Sequence, residues 1–416
     1  MQGLYAYLQN PHLVARIQEY FGVKILTNQG GSFNQRQCVD SDVKSENANI
    51  SQVSNKRKVT QGKRFLKNGI ESNGHVSSEI GEETVSSESE SESKHYLVSN
   101  KFWYYLFVLG TALGDEIFYA SFIPFWFWNI DGAVGRRVVL VWTIIMYIGQ
   151  GIKDIVRIPR PSCPPVVRLQ KKWAMEYGMP STHAMVGVSI PFSVLLYTVN
   201  RYQYSLALGL LFAVAWCAVI CVSRLYLGMH SVLDVVVGLV LALFLMVPVV
   251  PLVDALDHWI LTWRWSPVVL LATSILMIVL YPTSDRWTPT RGDTTMIVSV
   301  CAGVHVGAWT NYQLGILSAS GDPPPYAVIW PSCAMLGLGF LRTAIGFCCV
   351  LATRAVGKSA SYATLCALPR CSPGRDAVAL AYSFATCYLM GFNTVYLLPS
   401  VFRLLGIERP TFYTEI

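Results

Sequence analysis

The chain has 416 residues, of which 53% are hydrophobic and only 14% are charged, and its mean hydropathy is +0.41. Because a soluble protein of this length rarely carries so little charge, the composition favours a protein that faces lipid. The net charge of +7 is modest and the basic residues form no aromatic-laced patch, so we expect no nucleic-acid partner. The 11 cysteines include no CxxC pair, and we expect no metal site.

Two segments precede the apolar body. Leu13, Ile17 and Tyr20 recur at helical spacing, which predicts a short amphipathic helix within residues 1–27, either on a membrane surface or docked on the body. Residues 28–100 are rich in Ser, Asn, Gly, Glu and Lys, so we expect them to form a polar, largely disordered head.

After Phe102, nine apolar stretches are long enough, at about 20 residues each, to cross a bilayer. They cover residues 103–130, 138–156, 184–200, 205–222, 231–253, 265–281, 294–313, 328–353 and 376–404. The expected fold class is therefore all-α, a polytopic transmembrane helical bundle. Asp115 and Glu116 fall inside the first stretch, where charge is costly, so we expect them to face the bundle interior or a wet cavity and to have structural partners.

The first of three polar segments follows the second apolar stretch. Its residues Lys153, Arg157 and Arg160 are spaced i, i+4 and i+7, which predicts three cations on roughly one face of a helix that runs out of the membrane. Such cations repel one another unless an anion joins them. Positive charge at the end of a span is also a common membrane anchor, so this segment alone does not indicate a site.

The other two segments contain histidines. Pro-Ser-Thr-His at 180–183 predicts a helix start whose first-turn N–H groups point at a negatively charged group. In the third segment, the spacing of four between His230 and Asp234 predicts one helix face on which Asp234 accepts the Nδ1–H of His230 and leaves Nε2 free to attack. This is the arrangement expected of a histidine nucleophile, although a His–Asp pair that only satisfies two polar groups is the alternative.

The three segments are expected to meet in one place. Since successive spans alternate in direction, the end of the second span, the start of the third, the end of the fourth and the start of the fifth lie on one membrane face. The cations and both histidines can therefore form a single site.

In this order, KxxxxxxRP, PSxH and SRxxxxxHxxxD resemble the three signature motifs of the type 2 phosphatidic acid phosphatase superfamily. The matching residues are Lys153 with Arg160 and Pro161, then Pro180, Ser181 and His183, then Ser223, Arg224, His230 and Asp234. Thr182 departs from the usual glycine of the family but keeps its N–H donor. The resemblance implies a haloperoxidase-like helical catalytic core over residues 101–255, with additional transmembrane helices over residues 256–416.

Within that superfamily, the chain resembles the sphingosine-1-phosphate phosphatases of the endoplasmic reticulum. The features that carry this resemblance are the sequence Pro-Ser-Thr-His-Ala-Met, the long polar head, the extra spans and the polar stretch 283–293. This resemblance implies hydrolysis of sphingosine 1-phosphate or dihydrosphingosine 1-phosphate. It also implies a multi-pass protein of the endoplasmic reticulum membrane with a lumenal active site, whereas Arg157, Arg168, Lys171 and Lys172 on the active-site face would by themselves favour the cytoplasmic side. Oligomerisation is possible and is not predicted either way.

The expected mechanism is covalent and needs neither metal nor cofactor, because basic side chains supply the positive charge. His230 attacks phosphorus, Asp234 stabilises the imidazolium that forms, and His183 protonates the departing lipid alkoxide. The expected phosphate ligands are Lys153, Arg160, Ser181, Thr182 and Arg224.

Other functions are compatible with parts of this pattern. A lipid phosphotransferase of the sphingolipid-synthase kind would use the same His–Asp pair, and phosphatidate or lysophosphatidate could replace the sphingoid substrate. A transporter or scaffold that only binds phospholipid needs the cations but not the histidines, so the histidines argue against it. A soluble vanadium-dependent haloperoxidase shares this kind of anion site, but the membrane spans argue against that reading.

Overall fold

The structure is a computed structural model that describes residues 2–25, 96–170, 175–282, 289–367 and 375–416. Most of the predicted head lies outside the described residues, as does the part of the polar stretch that covers residues 283–288. Among the described residues the chain is predominantly helical and has almost no sheet, as predicted.

The helices are numbered in chain order. They are α1 (Gln2–Gln9), α2 (Pro11–Tyr20), α3 (Lys101–Ala112), α4 (Glu116–Asn129), α5 (Gly132–Val156), α6 (Thr182–Thr198), α7 (Leu206–Tyr226), α8 (Val232–Thr262), α9 (Ser266–Val279), α10 (Thr290–Gln313), α11 (Cys333–Ala367), α12 (Arg375–Phe392) and α13 (Leu398–Leu404). A π-helical turn (Asn393–Leu397) joins α12 to α13, and a 3₁₀ turn (Phe412–Thr414) lies near the end of the chain. Two pairs of short strands complete the fold, β1 (Val23–Ile25) with β2 (Tyr96–Val98) and β3 (Tyr202–Gln203) with β4 (Tyr326–Ala327).

The chain is a multi-pass membrane protein, but with fewer full-length apolar helices than predicted. Within the described residues, five helices are long and apolar enough to cross a membrane, and a sixth span forms if the bent pair α3 and α4 is counted as one. The stretches 184–200 and 265–281 form helices of only 17 and 14 residues, and 294–313 lies in the more polar α10. These three stretches therefore form shorter or more polar helices than the full-length spans predicted for them.

The first predicted span is broken where its charges lie. Helices α3 and α4 meet at an angle of 63°, and Asp115 caps the start of α4. The turn before it approaches α6 so closely that a Cβ on Gly114 would lie 2.6 Å from Cδ2 of His183. The break therefore brings Asp115 to the start of α6 instead of burying it within a continuous helix.

Helices α5 to α8 place the three polar segments at one end of the bundle. Helix α6 packs against α5, α7 and α8. The contact between α6 and α8 depends on Gly238, since a Cβ there would lie 2.7 Å from the carbonyl oxygen of Ser181. Leu208, Leu211 and Phe212 on α7 are exposed in the isolated chain, as expected of side chains that face lipid.

The opposite end of the bundle is closed by polar contacts. Asp131 caps α5 by accepting hydrogen bonds from the backbone N–H groups of residues 133 and 134, and it accepts further bonds from Arg201 at 2.5 Å and Tyr202 at 2.6 Å. Arg136 and Asp257 form a buried ion pair at 3.0 Å. These contacts tie α5 to the α6–α7 connection and to α8.

The N-terminal segment docks on the end of the bundle that carries the polar segments. Helix α2 begins at Pro11 after the Asn10 cap, so the segment contains two helices where one was predicted. Gln18 is 1% exposed and donates to the carbonyl oxygens of Val167 and Tyr226, at 2.7 and 2.8 Å. Strand β1 then pairs with β2, so both ends of the predicted head lie together at this end of the bundle.

The C-terminal helices pack onto the helices that carry the motifs. Asp154 near the end of α5 accepts hydrogen bonds from Tyr281 at 2.8 Å and from Thr290 at 2.7 Å. These bonds hold the start of α10 level with the end of α5. Helix α12 lies along α10, and α11 packs on α12 and α4. The boundary between a catalytic core and additional helices at residue 255 stays a prediction.

Candidate active site

Lys153 lies in the last turn of α5 and is 1% exposed. Its ammonium donates to Oε2 of Glu176 at 2.8 Å and to Oγ1 of Thr182 at 3.1 Å. Thr182, where the family usually has glycine, therefore supplies a hydroxyl that holds the lysine. The predicted cation is buried beside a carboxylate that the sequence analysis did not single out.

Arg160 reaches the site by a different route from the one predicted. Helix α5 ends at Val156, and its C-cap Arg157 has a left-handed backbone with φ of 57°, so Lys153 and Arg160 do not share a helix face. The chain turns back instead, and Arg160 donates from Nε to the carbonyl oxygen of Glu176 at 3.0 Å and from Nη1 to that of Met229 at 2.7 Å. The prediction of one continuous helix face is wrong because the helix stops before Pro159.

Arg224 is fully buried near the end of α7. Its Nη1 donates to Oγ1 of Thr111, and to Oε1 of Gln170 at 3.2 Å. Its Nε and Nη2 are buried without a hydrogen-bond partner among the residues that the structure describes. Since a guanidinium offers these donors in a planar fork, Arg224 is arranged to bind two oxygens of an anion.

His230 and Asp234 lie together, but not in the predicted geometry. His230 precedes α8, whose cap is Ser231, and Oδ2 of Asp234 accepts the Ser231 N–H at 2.8 Å in a capping box. Nδ1 of His230 lies 3.7 Å from that oxygen, beyond hydrogen-bonding distance. The prediction of a shared helix face is therefore wrong, although the two side chains are neighbours as expected.

The tautomer of His230 follows from its other nitrogen. Nη1 of Arg160 lies 3.2 Å from Nε2 of His230. Because a guanidinium can only donate, Nε2 must accept, and the proton of the neutral ring is on Nδ1. The lone pair expected to attack phosphorus is therefore on Nε2, where it faces a cation that also suits a phosphate.

His183 lies in the first turn of α6, as predicted, and Ser181 is the N-cap. Nε2 of His183 is 3.0 Å from Oδ1 of Asp115. Ser181 has two groups that could donate to a phosphate: its N–H already donates to the carbonyl oxygen of Asp234 at 3.0 Å, whereas its Oγ is buried without a partner among the described residues. Only the hydroxyl is therefore placed as the predicted phosphate ligand requires.

The site is strongly positive around His230. Burial, and then the charges of Arg160, Arg224 and Lys153, hold the pKa of His230 well below its ordinary value. Burial also lowers the pKa of Arg160 to about 10, against the opposing effect of Glu176. His230 is therefore neutral at pH 7 while Arg160 beside it stays charged.

Glu176 carries the opposite charge into the same cluster. Burial alone would raise its pKa, but Lys153 and Arg160 outweigh this and lower it, so the carboxylate is ionised at pH 7. Its Oε2 also lies 3.6 Å from Nη2 of Arg160. An anion therefore already lies between two of the cations that are expected to bind phosphate.

The structure thus brings together all eight predicted site residues at one end of the bundle. Two carboxylates were missed as members of the site, Glu176 and Asp115. Asp115 had a signal, a charge inside an apolar stretch, whereas Glu176 had none because a glutamate in a polar loop is ordinarily exposed. Among the described residues, no group of three or more His, Cys, Asp or Glu side chains is arranged to hold a metal ion.

Chemically, the cluster combines a neutral imidazole, a second histidine paired with a carboxylate, and a ring of buried cations. Such an arrangement can bind a phosphoryl group, attack it from one side and donate a proton on the other.

Comparison with known proteins agrees with this geometry. Residues 135–257 match the model of the PAP2 superfamily. The chain is 40% identical over 319 residues to sphingosine-1-phosphate phosphatase 1 of Mus musculus, which covers 75% of this chain and 74% of that protein. It is 39% identical to sphingosine-1-phosphate phosphatase 2 of Homo sapiens, over 75% of this chain and 80% of that protein.

A more distant relative is a dihydrosphingosine 1-phosphate phosphatase of Schizosaccharomyces pombe, 25% identical over 63% of this chain and 64% of that protein. No solved structure matches the chain. On the strength of the two mammalian relatives and the superfamily match, the chain belongs to the sphingosine-1-phosphate phosphatase family of the PAP2 superfamily.

Proposed function

We propose that this protein hydrolyses the phosphomonoester of sphingosine 1-phosphate or dihydrosphingosine 1-phosphate through a phosphohistidine on His230. The observation that carries the proposal is the ring of cationic side chains, those of Lys153, Arg160 and Arg224, that lie buried around a neutral His230. The names and the high identity of the mammalian relatives support the sphingoid substrate.

In the first step, the lipid phosphate enters the cation ring and Arg224 binds two of its oxygens with Nε and Nη2. Arg160 moves its hydrogen bond from Nε2 of His230 to a phosphate oxygen, which frees the lone pair. Nε2 then forms a bond to phosphorus as the bond from phosphorus to the lipid oxygen breaks. Lys153 and the Ser181 hydroxyl stabilise the charge on the remaining phosphate oxygens.

Proton transfers complete the first step. His183 gives a proton to the departing lipid oxygen, so the sphingoid alcohol leaves neutral, and Asp115 stabilises the charged form of His183. As His230 becomes cationic, the Nδ1–H is drawn toward Asp234, which closes the 3.7 Å gap seen in the resting site.

The second step reverses these roles. His183 takes a proton from water, the water oxygen bonds to phosphorus, and the bond to Nε2 of His230 breaks. Inorganic phosphate then leaves, and Arg160 returns to Nε2. All the positive charge used in the two steps comes from side chains of this chain.

We place the protein in the endoplasmic reticulum membrane with this site on the lumenal side. The two ends of the head are joined by the pairing of β1 with β2. They lie at the active-site end of the bundle, where Gln18 of α2 binds the carbonyl oxygens of Val167 and Tyr226. The sequon at Asn49 is in the head, outside the described residues. A glycan on Asn49 would support a lumenal site. In sealed microsomes, whose outer face is cytoplasmic, cleavage of the head by added protease would contradict a lumenal site.

The test of the proposed function is phosphate release from sphingosine 1-phosphate by purified full-length protein, with a chelator present and with a long-chain alcohol added as acceptor. Hydrolysis predicts inorganic phosphate and no phosphorylated alcohol. A phosphorylated alcohol as the main product would show the lipid phosphotransferase that shares this geometry. Release from phosphatidate but not from the sphingoid substrate would contradict the substrate.

A further inference from the structure

A cavity of about 370 Å³ opens beside the catalytic residues and runs into the bundle. At one end it is lined by Thr182, His183 and Glu176, all members of the site described above. Its volume falls in the range of about 300–1,000 Å³ that is usual for small-ligand sites. The cavity is therefore continuous with the place where phosphate is expected to bind.

The walls come from two parts of the chain. Helices α4, α5 and α6 form one side, and α10, α11 and α12 form the other. Most of the lining is apolar and includes Ile123, Trp142, Met146, Val186, Met296 and Val300. A single alkyl chain fits such a lining, and this gives the C-terminal helices a place in the site that the sequence did not indicate.

The end nearest His183 carries carboxylates. Asp115 contacts His183, and Glu116 follows it at the start of α4. Asp293 lines the same cavity from the first turn of α10. That turn lies level with the end of α5, because Thr290 donates to Asp154, the neighbour of Lys153.

Carboxylates beside a phosphate site are unfavourable for a ligand that carries only negative charge. They are favourable for a head group whose phosphate lies next to a cation. A sphingoid-base phosphate has this arrangement, since its ammonium is on the carbon next to the one that carries the phosphate. Phosphatidate and lysophosphatidate have no cation at that position.

A second observation points to a ligand in this cavity. Thr386 on α12 lines it and is only 5% exposed, and its Oγ1 has no hydrogen-bond partner among the described residues. A buried hydroxyl without a partner is unusual unless a ligand or water supplies one. A sphingoid base carries a hydroxyl on the carbon after the ammonium, so it brings a polar atom beyond its head group.

We propose that this cavity binds the sphingoid part of the substrate, with the ammonium held by Glu116 and Asp293 and the alkyl chain between α4 and the C-terminal helices. The assignment rests on the proposed function and explains how the site selects sphingoid phosphates from glycerolipid phosphates. Asp115 stays with His183.

The test compares sphingosine 1-phosphate with its N-acetylated form, which lacks the ammonium charge and carries one added acetyl group, in purified full-length protein. The measured quantity is the ratio of their kcat/KM values in the wild type, Glu116→Gln, Asp293→Asn and the double variant. We expect the ratio to fall about tenfold or more in the double variant, since a charge-assisted contact is lost. Asp254→Asn is the matched control, because Asp254 pairs with Arg137 on the surface of α8, far from the cavity, and its ratio stays at the wild-type value.

A ratio in the double variant equal to that of the wild type contradicts the ammonium site. A separate variant, Val300→Phe, narrows the cavity and is expected to lower kcat/KM for an 18-carbon substrate more than for an 8-carbon one. An equal effect on both chain lengths contradicts the chain site. Wild-type protein that releases no phosphate from sphingosine 1-phosphate overturns the proposed function itself, and this inference with it.

Discussion

Oε2 of Glu176 lies 2.8 Å from Nζ of Lys153, with the two side chains 8% and 1% exposed. A buried ion pair of this kind keeps a cation in place while no ligand is bound, but it also puts negative charge where phosphate is expected. The charge of Glu176 in this ion pair therefore lowers the affinity of the resting site for an anion.

The first prediction concerns Glu176→Gln, which keeps the shape and one acceptor for Lys153 but removes the charge. Because the phosphate no longer competes with a resident carboxylate, inhibition by inorganic phosphate or vanadate should strengthen by about tenfold or more. The measurement is the inhibition constant of each anion during sphingosine 1-phosphate hydrolysis. An inhibition constant that stays the same or rises would contradict the placement of Glu176 within the phosphate site.

The second prediction concerns Asp115→Asn. His183 then loses the carboxylate 3.0 Å from its Nε2, and protonation of the leaving group should slow by about 10- to 100-fold. Single-turnover formation of the phosphoenzyme measures this step. The same step from p-nitrophenyl phosphate, whose leaving group needs no proton, should change much less.

An equal loss with both substrates would mean that Asp115 only maintains the structure around α4. Asp254→Asn provides a matched change from carboxylate to amide, on the surface of α8, that leaves the His183 contact in place.

The third prediction concerns pH. Since the pKa of His230 is held well below its ordinary value, its neutral, nucleophilic form persists as pH falls through about 6.5. The acid limb of kcat/KM should therefore lie below that pH. Arg160→Gln removes one of the charges that lower the pKa of His230, so its residual activity should show an acid limb moved to higher pH.

The pH profiles of the two proteins, measured with the same substrate, test this shift directly. The ionisation of the substrate is common to both and cancels in the comparison. Coincident acid limbs would contradict the role of Arg160 in setting the charge state of His230.

The fourth prediction concerns stability. Asp131→Asn removes the charge that binds Arg201 at the far end of α5 and leaves this partly exposed arginine without its charged partner, which should cost about 1.5–3 kcal/mol. Burial alone would raise the pKa of Asp131, but Arg201 and Tyr202 lower it overall, so its stabilising effect is complete at pH 7 and is lost only as pH falls below the ordinary aspartate range. Thermal unfolding in detergent at pH 5 and pH 7.5 should give the same difference between wild type and variant.

The site lies about 37 Å away, the length of α5, so the folded variant should retain the kcat of the wild type. A large loss of kcat without a loss of stability would contradict the structural role of Asp131.

The sequence predicted which residues lie together better than it predicted the path of the chain. The motifs pointed to Lys153, Arg160, Arg224 and His230 by residue type and order along the chain, and neither depends on the local backbone conformation. The helix face assumed for Arg157 and Arg160 was wrong, since a left-handed residue at 157 ends α5. His230 and Asp234 were likewise placed on one helix, but Ser231 caps α8 between them.

Other features depend on contacts between distant segments. Glu176 joins the site only because the loop before α6 folds back onto the end of α5. The cavity between α4 and α12 requires the packing of helices more than 250 residues apart in the chain. No local pattern of hydrophobicity or charge encodes either relationship.

In the proposed mechanism phosphate passes through His230, and the phosphoenzyme can be trapped with an alkaline detergent quench after reaction with dihydrosphingosine 1-phosphate radiolabelled in its phosphate. We expect a label on the wild-type protein that is stable in base, labile in acid as is typical of phosphohistidine, and absent from His230→Asn. Asp254→Asn, on the surface of α8, should label like the wild type. A label of the same stability on His230→Asn, or phosphate release that continues at the wild-type rate in that variant, would contradict the account.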